Sequence, residues 1–197
     1  MNLIKLLSGH RFELLKHEAE KIESSIKKSH CSLTTSLASK ERLPSSQWFR
    51  RSIPNPLPVG IVCLLLVAPL AWEGGTIIDY LSLPIETGAI TLLSILPVTA
   101  IYIALIPFTL GKGFKIGLTL ILYFHLFNTL LTLAGLVLML LKSADNQEWM
   151  KALNFFPFQL LLIFLCKYTI NSESFYRLIL FTCNTRLIIE RSKIRSN

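Results

Sequence analysis

A chain of 197 residues in which 52% are hydrophobic and only 16% charged falls well short of the ~25% charge of soluble domains. The net charge of +8 is no sign of nucleic-acid binding, because the basic residues gather at the two ends and beside apolar runs, without a patch of interleaved aromatics. The four cysteines (Cys31, Cys63, Cys166 and Cys183) have no CxxC or other metal-ligand spacing, which argues against a disulfide framework or a zinc site.

Residues 1–28 open the chain with an amphipathic pattern. Phe12, Leu15, Ala19, Ile22 and Ile26 recur at alternating spacings of three and four, the repeat of one helix face, with Glu and Lys on the others. Such a helix either lies on the membrane, with Leu3, Ile4, Leu6 and Leu7 in the headgroup layer, or packs within its own chain, or pairs with a copy of itself. Residues 29–42 turn to Ser, Thr and Lys and read as a linker. Trp48, Phe49, Arg50 and Arg51 follow. Two aromatic rings beside two guanidinium groups make an interfacial anchor, rings at headgroup level and charges toward the anionic cytoplasmic leaflet.

A first span is predicted over Leu57–Trp72, with room to continue toward Ile78, and Pro69 placed to bend it. Coming after a charged arm, it would serve as the uncleaved targeting signal. A second, Thr87–Leu110, carries Pro97 and Pro107. Prolines free carbonyls in the preceding turn, which neighbouring hydroxyls or another helix must satisfy, so this span is expected to be kinked and buried in the bundle. The Gly111–Lys115 turn leads into Ile116–Leu141, twenty-six residues without a charged side chain. As a helix it covers ~39 Å, more than the ~30 Å of a bilayer's hydrocarbon core. Lys142–Lys151 reads as a polar loop, and Ala152–Cys166 as a short fourth span flanked by lysines that can snorkel outward. The tail 175–191 is apolar but carries Arg177 and Arg186. An arginine at the centre of a span costs about 2.5–3.5 kcal/mol, which favours a surface-lying or bundle-capping helix over a fifth span.

The basic residues set the orientation. Ten of the twenty Lys and Arg precede Leu57, two lie in the Gly111–Lys115 turn and six run from Lys167 onward, leaving only Lys142 and Lys151 for the other side. By the positive-inside rule both termini are cytoplasmic.

No nucleophile elbow, zinc-protease helix or phosphate-cradling loop occurs, so no catalytic, cofactor or metal residue is expected. The polar feature at membrane depth is His125, Asn128, Thr129 and Thr132, followed by Gly135, along one face of the third span. Small and polar residues in that arrangement serve as a packing seam with interhelical hydrogen bonds. The sharper reading makes His125 a proton or ligand site, although no acidic or basic residue lies within the four spans to partner it.

The expectation is therefore an all-α, polytopic integral membrane protein. Residues 1–56 form a cytoplasmic amphipathic helix, linker and anchor; 57–170 form a four-helix membrane domain; and 171–197 form a basic tail with an interfacial helix. Its expected role is a non-enzymatic interaction protein: an adaptor, regulator or immunity-type protector acting through a partner's membrane segment. The alternative is a small oligomeric transporter or channel subunit. The partners implied are the bilayer, anionic lipids at its cytoplasmic face, and a protein partner or further copies of the chain, in a bacterial inner membrane. In organisation alone (polar arm, proline-bearing spans, a short Gly-Lys turn before a long apolar helix) the middle third resembles small bacterial relatives of the Yip-type membrane proteins, a likeness that carries no residue role or function with it.

Overall fold

The computed structural model describes residues 8–28, 54–80, 84–142 and 146–196. These form six α-helices and no strand: α1 (His10–Lys28), α2 (Leu57–Tyr80), α3 (Ile85–Gly111), α4 (Lys115–Lys142), α5 (Asn146–Ile170) and α6 (Glu173–Ser196). Glu86–Gly111 and Lys115–Val137 are long and apolar enough to cross a membrane, while Leu57–Leu70 and Phe156–Ile170 are shorter apolar stretches. The proposed anchor Trp48–Arg51, the linker and the apolar residues 3–7 lie outside the described residues.

Local chemistry explains where the helices begin and end. The Oδ1 of Asn55 accepts from the Leu57 N–H at 3.0 Å as α2 starts. Ser172 caps α6, its Oγ accepting from the N–H of Phe175 at 3.2 Å. The end of α3 is a Schellman closure. Gly113 takes φ +69, the Phe114 N–H reaches back to the Thr109 carbonyl, and the Gly113 N–H reaches that of Leu110, both at 2.9 Å. The basic turn read from the sequence is thus a helix stop built on the one glycine that tolerates its geometry.

The core gathers at the end of the bundle where this turn lies. Val59, Val62 and Leu66 of α2, Ile106 and Leu110 of α3, Leu118, Ile121 and Leu122 of α4, Cys166 and Ile170 of α5, and Phe175, Ile179 and Cys183 of α6 form one continuous cluster. Tyr102 joins α3 to α4 there, its hydroxyl donating to the Leu120 carbonyl at 2.9 Å and its ring 5.1 Å from that of Phe124.

α1 belongs to this core. Phe12, Leu15 and Ala19 are buried, with Ile22 packed beside them, so of the three placements open to the amphipathic helix the chain adopts the intramolecular one, against α6 and α4. Asn171, between α5 and α6, holds its beginning. The side-chain Nδ2 donates to the carbonyls of Ser8 (2.7 Å) and Lys167 (2.8 Å), and Oδ1 accepts from the Phe12 N–H (3.2 Å). Gly9 makes the approach possible: it sits at φ +81, and a Cβ there would collide with the side-chain amide of Asn171. The exposed Arg11–Glu173–Arg177 ion pairs beside this joint add little, as surface pairs do.

α6 crosses the Gly111–Lys115 turn and grips it. Arg186 donates to the Gly113 carbonyl at 3.3 Å and stacks its guanidinium 3.9 Å from the centre of the Phe114 ring. Burial pushes the Cys183 thiol up to about 11, against the opposing pull of Arg186, so it stays protonated with its Sγ 3.7 Å from the same carbonyl.

Two sequence expectations are corrected. α3 is not buried in the bundle: only 6% of its apolar stretch is covered, against 33% for α4, and Leu93, Leu96, Val98 and Ile101 are all more than half exposed. The hydroxyls of Thr91, Ser94 and Thr99 bond the carbonyls four residues before them on their own helix. Those carbonyls belong to Thr87, Ile90 and Ile95, whereas Pro97 and Pro107 free those of Leu93 and Ile103, so the hydroxyls neither serve the prolines nor recruit another helix. The loop 142–151 is also largely helix, since α5 begins at Asn146.

Candidate functional site

The seam on α4 is mostly interior. His125, Asn128 and Thr132 are 1%, 1% and 2% exposed, while Thr129 and Gly135 sit half-buried at its edge. Asn128 makes an interhelical bond, Nδ2 donating to the Leu66 carbonyl of α2 at 2.6 Å. Pro69 does not explain the acceptor, because it frees the carbonyl of Leu65 and not that of Leu66. Thr129 instead turns its hydroxyl back to the His125 carbonyl at 2.8 Å, so it serves its own helix.

Gly135 departs from expectation. A seam glycine should admit a neighbouring helix closely, yet among the described residues a Cβ built at Gly135 meets no atom within 4 Å. The reason lies in the position of the core: toward this end α4 is loosely covered, with Leu133 48% and Val137 54% exposed. The close helix approach occurs instead at Gly117, where a Cβ would lie 2.6 Å from Thr109 Oγ1 of α3.

Gln159 of α5, 2% exposed, was missed in the sequence. Its signal was available: it is the lone amide in the apolar run from Phe155 to Cys166, and a buried polar residue in such a run is costly enough to have a reason. Asn171 was missed as well, because a residue in a two-residue helix connection reads as an ordinary turn.

The seam therefore offers neutral hydrogen-bonding groups. Among the described residues no cluster of three His, Cys, Asp or Glu could hold a metal ion. No family model, curated protein or solved structure matches the chain.

The geometry fixes an expected contrast between two substitutions. Asn128→Leu removes one interhelical bond and should lower stability by about 0.6 kcal/mol, and by no more than about 1.7. Gly135→Leu enters open space and replaces a poor helix former with a good one, so stability should hold or rise. Thermal midpoints in detergent measure both.

Proposed function

We propose that the chain is a four-span integral membrane protein with α2–α5 as its spans and both termini cytoplasmic, acting as a non-enzymatic interaction protein through a partner's membrane segment. The observation that carries this reading is α3. It is an apolar helix that its own bundle leaves uncovered over most of its length, so lipid or another helix must cover it. Lys112 supports the orientation, its Nζ 4.3 Å from the centre of the exposed Phe108 ring, the pairing of aromatic and cation that suits a cytoplasmic headgroup layer. Lys115 and Lys167 lie at the same end and would meet anionic lipid there. A bacterial inner membrane is the setting we infer.

A photo-crosslinker at Leu93 or Val98, both on the bare part of α3, tests the role in cells. Capture of one distinct membrane protein supports the adaptor reading. Capture of the chain alone favours the alternative, an oligomeric transporter or channel subunit. The topology is tested by single-cysteine labelling from outside the cell: position 79 should react and position 112 should not, and the reverse pattern would overturn the orientation.

A further inference from the structure

Among the described residues four buried polar atoms have no protein partner; one is Oε2 of Glu23 on α1, and the other three, on α4 and α5, are Nε2 of His125, Oδ1 of Asn128 and Nε2 of Gln159. These three belong to side chains no more than 2% exposed. A buried donor or acceptor left unpaired is costly, and native interiors satisfy such groups with protein or with ordered water.

Their heights in the bundle agree. His125 stands ten residues beyond Lys115 at the start of α4, and Gln159 eleven before Ile170 at the end of α5. Those two helix ends share the core, and α4 packs on α5, so both side chains lie ~15–16 Å along the bundle. Asn128 is one turn further along α4, Thr132 one turn beyond that and also buried, and Gly135 follows with open space where its side chain would be. The polar line thus runs from His125 to a position where no atom of the described residues would touch an added Cβ.

The chemistry selects the ligand. Each atom exposes less than 1 Å², which keeps out a lipid headgroup or a partner's side chain. An ion would enter without a carboxylate on the seam to offset its charge. Water is small enough, and it can accept from Gln159 Nε2 and donate to Asn128 Oδ1, while His125 Nε2 serves as donor or acceptor according to its tautomer. We propose that the junction of α2, α4 and α5 is a hydrated site, in which water bridges His125, Asn128 and Gln159 and exchanges past Gly135. The inference holds whichever partner the protein engages.

Radiolytic hydroxyl labelling of the full chain in lipid nanodiscs, read by mass spectrometry, tests it, because bound water generates the radical where it sits. His125 should be labelled several-fold faster than buried Phe124 on the same helix, and Gly135→Leu should bring it down to the Phe124 level by closing the path. Labelling of wild-type His125 no faster than Phe124 would overturn the proposal without recourse to any variant. A second readout is independent of labelling. If water satisfies Gln159, Gln159→Met strands the water's other partners and lowers the thermal midpoint. A raised midpoint means that the amide was a dry, unpaired donor, and sinks the proposal.

Discussion

Gly113→Val should dismantle the grip of α6 on the α3–α4 turn. The residue sits at φ +69, where a β-branched side chain is strained, and its Cβ would lie 2.6 Å from the Thr182 carbonyl oxygen and 3.0 Å from the Cys183 Cα. These are backbone atoms of α6 and cannot rotate aside, so the helix itself must move. In moving it gives up the Arg186 bond to the Gly113 carbonyl and the stacking on Phe114. Strain, collision and lost contacts together are expected to cost about 3–5 kcal/mol, at the upper end for single substitutions. A large drop in thermal midpoint, with protease cleavage appearing in α6, is the measurement. Gly111→Ala is the control two residues away. Gly111 is helical with nothing within 4 Å of an added Cβ, so this change should stabilise by up to about 1 kcal/mol. Equal midpoints for Gly113→Val and wild type would show that the turn does not hold α6.

Phe12→Ala should release α1 while leaving α2–α5 folded. Phe12 is wholly buried, and truncation of such a residue costs about 3–5 kcal/mol. The loss falls on docking, because α1 contributes only a narrow seam to the core and a 19-residue helix is marginal on its own in water. Asn171→Ala should act in the same direction by about 2 kcal/mol, removing both of the side chain's bonds to the start of α1. Hydrogen exchange is the clean readout: protection should vanish across residues 10–28 and persist in α4. Retained protection in Phe12→Ala would mean that something other than the apolar seam holds the helix.

What could be read from the sequence is local. The spacing of Phe12, Leu15 and Ala19 marked the face that α1 buries, and the charge-free run beginning at Ile116 marked α4, because helical periodicity and the length of an apolar run are properties of neighbouring residues. His125, Asn128 and Thr132 were legible as one face for the same reason, and the structure buries all three. The covering of α3 was not legible. Proline and hydroxyl content suggested burial, but the hydroxyls met their needs within the helix, and whether a neighbour exists is decided by segments far away. Gly135 failed for a related reason. A small residue permits close approach, and only the position of the core determines whether a helix uses it.

The Asn171 joint also sets an order of events at the ribosome. Phe12 and its acceptor are 159 residues apart, and α6, the principal support of α1, follows every other described helix in the chain. At ~5–20 residues per second the nascent amphipathic helix waits roughly 10–30 s before its docking surface exists. Throughout that interval Phe12 and Leu15 lack the cover that α6 provides. Closure of the cap therefore follows the synthesis of α6. A chain truncated before α6 would leave the face of Phe12, Leu15 and Ala19 without its principal cover.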